Sequence, residues 1–223
     1  MELSDILRRL SGLDACAVSD ACDKLGLSPA QSGLAPRTGT ARLSGRVMTL
    51  RLAEGPPPAD APPVHLGSNA INRAQPGDII VVEQRSGVDA GCWGGILSNG
   101  AKTRGIAGVI ADGAVRDVDE AAALDFPIFA RATTARTARG RVHEAETGGP
   151  VTIGEATVNA GDFVVVDGSG AAFIPADRIA DVLVAASEIA AREAELTRAV
   201  RSGVPIDQVM GGNYEHMLED TPS

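Results

Sequence analysis

One short pattern occurs twice in this chain and limits its fold more than any other feature. Pro76-Gly77-Asp78 leads into Ile79-Ile80-Val81-Val82, and Ala160-Gly161-Asp162 leads into Phe163-Val164-Val165-Val166. Each is a turn followed by an apolar run too short for a helix, which marks a strand buried on both faces. Such strands need covering layers, so an α/β architecture is expected. Two occurrences do not make a solenoid, and they point instead to a second sheet layer.

Between the two runs lies GCWGGILSNGAKTRGIAGVIADGAVRDVDE, from Gly91 to Glu120. It reads as a helix-strand-helix unit: a helical pattern after Gly94, an apolar strand over 106–110, and a second helix over 115–124 that opens on Arg116-Asp117. In open α/β sheets, ligands collect outside the carboxyl ends of strands, where helix N-termini present N–H donors. The Arg-Asp pair stands at such a place.

The rest of the chain reads as support. Two short helices are expected over 6–10 and 18–25, with Ser19 or Asp20 as cap and Gly26 as stop, forming a lid or a subunit contact. Alternation from Ala41 to Arg51 predicts strands, GPPPADAPP over 55–63 a loop, 64–74 a helix, and 126–129 a strand with Pro127 at its start. The arginine-rich stretch 131–149 lacks periodicity and reads as a loop region with an extended arm, and 151–174 as strands and turns. From Asp177 the pattern is helical for about 25 residues, with Ile179, Val182, Leu183, Ala186, Ile189, Ala190, Leu196 and Val200 on one stripe, until Gly203. Glu193 breaks that stripe, and a carboxylate on such a face pairs, binds a metal or reaches an interface. Residues 205–218 read as a final docking segment with a short helix.

Composition removes several classes of function. A net charge of −9 argues against general nucleic-acid binding, which needs clustered Lys and Arg. No apolar stretch approaches the ~18 residues of a membrane span, and the opening MELSDILRRL has no signal-peptide core. Cys16, Cys22 and Cys92 show no paired spacing, as expected of reduced thiols in a cytoplasmic protein.

The candidate chemistry is concentrated in the central stretch. Arg116 and Asp117 read either as ordinary helix-start electrostatics or as a fork for a substrate carboxylate beside a ligand for Mg²⁺ or Mn²⁺. Gly94, Gly95, Ile96 and Leu97 open a helix whose N–H groups suit an anionic group, or simply make a turn. Gly95 to Thr103, GILSNGAKT, approaches a phosphate loop, but Ala101 is inserted before Lys102 and the segment is helical in pattern. His65, His143 and His216 lack zinc spacing and read as surface or capping residues, and no GxSxG elbow occurs. Trp93 reads as a packing residue beside the glycines.

Trp93-Gly94, Gly105, Gly108 and Asp112-Gly113-Ala114-Val115-Arg116-Asp117 resemble the family of regulator of ribonuclease activity A, which includes 4-hydroxy-4-methyl-2-oxoglutarate / 4-carboxy-4-hydroxy-2-oxoadipate aldolases. The likeness runs from Val18-Ser19-Asp20-Ala21 to the C-terminal helix. It implies a swivelling β/β/α layered single domain over 1–223, with a helical N-terminal arm over 1–30 and a C-terminal helical segment over 177–218. It also implies a homotrimer or hexamer with sites at subunit boundaries. By the same likeness, Gly94 to Leu97 and Arg116 would bind the pyruvyl part of a 2-oxo acid, Asp117 would ligate Mg²⁺ or Mn²⁺, and Glu193 would reach in from a neighbouring subunit as a catalytic partner. The implied activity is retro-aldol release of pyruvate or oxaloacetate decarboxylation, and the alternative is a non-catalytic regulator of a protein such as a ribonuclease. One position departs from the pattern: the aldolases have an acidic residue where this chain has Gly95, twenty residues before Arg116-Asp117. Asp89 and Glu83 are the acids nearest in sequence to replace it.

Overall fold

The computed structural model describes residues 1–28, 30–39, 42–61 and 64–210. Its frame is one long strand, β2 (Arg42–Glu54), lying after the short β1 (Ala35–Thr38). Leu43, Gly45, Val47 and Thr49 alternate inward along β2, and the strand serves three partners along its length. Arg42 to Arg46 pairs antiparallel with β9 (Phe163–Asp167), and Val47 to Arg51 pairs parallel with β3 (Ile79–Glu83).

From β3 the sheet continues in parallel through β4 (Gly108–Val115) to β5 (Ile128–Thr133), then antiparallel to β1. On the other side β9 pairs with β10 (Gly170–Ile174), while β6 (Val142–Thr147) lies along the far end of β2. The two apolar runs of the sequence are therefore β3 and β9, flanking β2 in a single eight-stranded sheet. The sheet curls, so Ile79, Val81, Ile110 and Phe129 share one interior with Val164, Val166 and Phe173. The hairpin of β7 (Val151–Ile153) and β8 (Ala156–Val158) adds Ile153 and Val158 to that interior. The second layer is thus the same sheet continued.

Helices cover both outer faces. α3 (Ser68–Arg73), α4 (Gly95–Thr103) and α5 (Val118–Ala123) cover the parallel strands through Ile71, Leu97, Ala101 and Ala121. α1 (Leu3–Leu10), α2 (Ala15–Lys24) and α6 (Ile179–Arg201) enclose Phe163, Val165, Ala172 and Ile174. Burying a large aliphatic side chain contributes about 1.5–3 kcal/mol, and the sheet is sandwiched wherever its strands are uniformly apolar. This is the expected α/β class, a layered β/β/α domain with helices near both ends.

Several local expectations give way to tertiary effects. α2 is core rather than lid, with Ala15, Ala17, Val18, Ala21 and Cys22 buried. Its cap is Asp14, which accepts from Ala17 N at 2.8 Å, not Ser19 or Asp20. The helix expected from residue 64 begins only at Ser68, because Gly67 adopts φ 81°. The loop expected over 131–149 contains β6, which the sheet edge organises despite its polar sequence. Val115 ends a strand rather than starting a helix. α6 is followed by the short α7 (Ile206–Val209); Ala41, Pro62, Pro63, His216 and residues 211–218 of the expected tail fall outside the described residues.

Candidate active site

The site is built where β4 ends. Residues 91–93 run beside that end as a short parallel extension: Gly91 bridges Ala114, Cys92 N donates to Ala114 O at 2.8 Å, and Arg116 N donates to Trp93 O at 3.0 Å. This pairing lays Gly94 and Gly95 directly against Arg116 and Asp117. Trp93 is buried and fixes the corner, since its Nε1 donates to Ser98 Oγ at 3.1 Å and Ser98 Oγ donates to Gly94 O at 3.0 Å. The packing role expected of Trp93 holds.

Asp117 adopts φ 56°, ψ 39°, a left-handed conformation that Asp and Asn tolerate better than most residues. The twist turns its carboxylate back toward the glycines. Oδ2 accepts from Gly95 N at 3.0 Å, and Oδ1 accepts from Arg116 Nε at 3.2 Å. Gly95 N–H, expected to be open to an anionic ligand, is engaged by this internal carboxylate. Arg116 keeps both Nη groups without a partner among the described residues, and its side chain is about one-third exposed.

Three glycines clear room for three charged groups. A Cβ on Gly91 would lie 2.9 Å from Arg116 Cγ and Cδ, and one on Gly94 would lie 2.9 Å from Asp117 Oδ2. On Gly95 it would lie 2.0 Å from Glu120 Oε2 and 2.5 Å from Glu120 Cδ. The carboxylate of Glu120 therefore fills the space that a side chain at 95 would need. Asn99 Nδ2 holds Glu120 Oε1 at 2.8 Å, while Oε2 has no hydrogen-bond partner among the described residues. Sequence reasoning misses Glu120 because an acid in a first helical turn is ordinary; a signal was its place three residues after Asp117, on α5.

Neither acid near Gly95 in sequence occupies that space. Glu83 Oε2 accepts from Thr152 N at 2.6 Å and secures β7, and Asp89 pairs with Arg136 at 3.2 Å. Glu193 is also apart from it in this chain. It lies on α6, half-buried, with its carboxyl raised above the ordinary value by burial and then by Asp14 and Asp20. Asp20 is raised in the same direction by burial, Asp23 and Asp14.

The resulting cavity is about 210 Å³. Gly94, Gly95, Ile96, Leu97, Arg116 and Asp117 all line it, so the sequence-predicted group meets in one place apart from Glu193. Ile96 is 87% exposed at the rim, whereas Leu97 is buried. Thiolate chemistry does not arise here: burial pushes the Cys92 thiol up to about 12. The described residues contain no cluster of three or more His, Cys, Asp or Glu able to form a metal cage. Asp117 is an oxygen donor of the kind that Mg²⁺ accepts, since Mg²⁺ commonly takes one or two carboxylates and keeps several waters.

The cavity thus brings Arg116 and Asp117 to a strand end, on a curled sheet layered with helices. The chain belongs to the RraA-like family, Aldolase/RraA, whose model matches residues 15–172. A relative from Halalkalibacterium halodurans, provisionally named a 4-hydroxy-4-methyl-2-oxoglutarate aldolase, is 30% identical over 204 residues, 90% of each chain. Protein DlpA of Legionella pneumophila is 26% identical over 206 residues, 92% of this chain but 33% of its own length, so this chain spans about a third of DlpA. A crystal structure of an uncharacterized protein from Pseudomonas syringae superposes with a TM-score of 0.82 at 27% identity, covering 93% of this chain and 98% of that one. RraAS2 of Streptomyces coelicolor, described as an unusual member of the RNase ES inhibitor RraA family, shares the fold with a TM-score of 0.73 at 24% identity, over 88% and 98% of the two chains.

Proposed function

We propose that the protein is a divalent-metal-dependent lyase for a small 2-oxo acid, cleaving a 4-hydroxy-2-oxo acid to release pyruvate or decarboxylating oxaloacetate. The observation that carries this reading is the carboxylate of Glu120, lying in the space that a side chain at Gly95 would need, Gly95 itself lining the cavity with Arg116 and Asp117. In this reading Glu120 supplies, from a different helix, the acidic function that Gly95 lacks. The aldolase name of the Halalkalibacterium halodurans relative supports the same reading.

Asp117 would hold Mg²⁺ or Mn²⁺, and the ion would supply Lewis-acid polarisation of the 2-oxo group. Arg116 receives the substrate carboxylate on its two Nη groups in a forked contact and thereby fixes the 2-oxo carbon over the glycine turn. Glu120 Oε2 takes the proton of the 4-hydroxyl as the C3–C4 bond breaks, the electron pair passing into the pyruvate enolate. Glu120 then returns that proton to C3. In decarboxylation the C3–C4 bond breaks with loss of CO₂, its electron pair passing into the enolate, and C3 takes a proton that Glu120 relays from solvent water. A positioned proton-transfer group of this kind contributes typically 10²- to 10⁴-fold.

Glu193 lines a groove with Leu196, Val200, Ile206 and Met210 on the outer helical layer. Val200, Ile206 and Met210 are exposed there and support a homotrimer or hexamer in which Glu193 completes a neighbour's site. We propose a cytoplasmic location for the protein. The second reading, a regulator that binds a ribonuclease, is favoured by the fold shared with RraAS2 of Streptomyces coelicolor, a member of an RNase inhibitor family. It requires nothing of Glu120. The deciding experiment is solvent-deuterium exchange at the methyl group of pyruvate with Mg²⁺: the lyase exchanges it and Glu120→Gln loses the exchange, whereas wild-type protein that catalyses none is not this enzyme.

A further inference from the structure

Next to the candidate active site is a second, larger cavity of about 560 Å³, and the two share His65, Leu66, Thr137 and Ala138 as a common wall. The smaller one lies below the ~300–1,000 Å³ range of typical ligand pockets, while the larger lies within it. A substrate held at Arg116 by its 2-oxo acid end and longer than the smaller cavity would meet these shared residues, and the chemistry of the adjoining cavity indicates what the extension is.

Two arginines and two glutamates face this cavity, so their formal charges cancel: Arg73 and Arg139 against Glu144 and Glu146. Both carboxylates are engaged. Glu144 accepts from Gly67 N at 2.7 Å, Asn69 Nδ2 at 2.8 Å and Thr147 Oγ1 at 2.7 Å, and Glu146 pairs with Arg51 at 2.7 Å. Arg139 has no side-chain partner among the described residues, and Arg73 donates to Thr147 O. The two imidazoles are oriented alike. His65 Nδ1 meets Leu66 O at 2.9 Å and His143 Nδ1 meets Gly55 O at 3.0 Å. A carbonyl only accepts, so Nδ1 carries a proton in each ring and Nε2 is the nitrogen left for a ligand's hydroxyl. The wall thus offers acceptors at two imidazoles and donors at Arg139 without a net charge.

We infer that this cavity receives a neutral, polyhydroxylated arm, so that the preferred substrate is a 4-hydroxy-2-oxo acid with a sugar-like chain rather than a second carboxylate. The inference rests on the lyase reading above and extends it to the substrate class. A hydroxyl both donates and accepts, which matches imidazole acceptors alongside a guanidinium donor; a carboxylate only accepts and would face Glu144 and Glu146. Cleavage breaks C3–C4, moves the 4-hydroxyl proton to the base, and leaves pyruvate and a hydroxylated aldehyde, so atoms and electrons balance without a co-reactant.

The test is calorimetric binding of 3-deoxy-2-oxo-D-gluconate and of 2-oxoglutarate to the full chain with Mg²⁺, in wild type, His143→Ala and Arg139→Ala. The expected result is a preference for the hydroxylated probe of about tenfold or more, the effect of one well-made polar contact. Each variant should reduce that preference about fivefold or more, Arg139→Ala being an exposed change that leaves the fold intact. Equal or tighter binding of 2-oxoglutarate, no binding of either probe, or a preference unaltered in both variants overturns the inference. Pyruvate methyl exchange in the same wild-type sample judges the lyase reading separately, so failure of exchange with a retained preference refutes that reading and not the cavity's.

Discussion

The glycine at 95 makes a prediction that opposes ordinary helix energetics. Replacing it with alanine favours helix α4 by about 0.5–1 kcal/mol, because glycine loses more backbone freedom on folding. The new Cβ, however, would stand 2.0 Å from Glu120 Oε2. Ordinary contact needs about 3.5 Å, so the carboxylate must retreat by on the order of 1.5 Å, and a displacement of about 1 Å in a catalytic constellation can cost about 10²-fold. The retreat also breaks the exposed Asn99–Glu120 hydrogen bond, worth about 0.5–1.5 kcal/mol, which offsets the helix gain. Gly95→Ala should therefore keep its Tm within about 3 °C of wild type while pyruvate release falls about 10²-fold or more. The assay is pyruvate production from a 4-hydroxy-2-oxo acid with Mg²⁺, coupled to lactate dehydrogenase, beside a thermal melt. Combining Gly95→Asp with Glu120→Ala moves the carboxylate from one helix to the other and should recover turnover to within about tenfold of wild type, the residual loss reflecting an imperfectly placed acid-base group. Full activity in Gly95→Ala would refute the reasoning, since it would mean that the position of Glu120 does not matter.

Asp117→Asn keeps a residue suited to φ 56° and an oxygen for Gly95 N, so it should fold normally yet bind Mg²⁺ or Mn²⁺ more weakly; equal metal affinity by calorimetry rules Asp117 out as a ligand. Arg116→Lys replaces a fork by a point charge and should weaken oxalate binding by about 1.5–3 kcal/mol, and unchanged affinity removes the arginine from the site. For Glu193 and Asp20, burial raises the folded-state carboxyls above their ordinary 4.5 and 3.8, so the folded chain holds more protons than the unfolded one and stability falls as pH rises from those values through the raised ones. Glu193→Gln should flatten this fall, read as urea midpoints at pH 4 and pH 7, and an equally steep fall in the variant counts against the assignment. Light scattering at micromolar concentration should give a trimer or hexamer; a mass near 22.8 kDa excludes a shared site.

What could be read from the sequence was what local chemistry decides. The runs at Ile79 and Phe163 could only be buried strands, and Arg116-Asp117 stands at a strand end as the glycine-rich approach required. Positions set by distant partners were not legible. β6 carries polar residues at most positions and is a strand because the end of β2 offers it unpaired backbone. Val115-Arg116-Asp117 resembles a helix start, yet the bond from Arg116 N to Trp93 O extends the sheet-like pairing past it and postpones the helix to Val118. Glu120 had no signature of its own, because its meaning comes from the empty space over a glycine in another helix.

The multiple pairing of β2 also bears on how this protein must be made. The strand is complete in the chain by residue 54, but its partners begin at residues 79, 142 and, last, 163. During synthesis its first half, from Arg42 to Arg46, waits more than a hundred residues with its backbone donors and acceptors open. An unpaired strand edge invites other chains. The charged residues Arg42 and Arg46 at that half of the strand then act as guards for the nascent polypeptide, keeping neighbouring copies apart until β9 emerges and closes the edge.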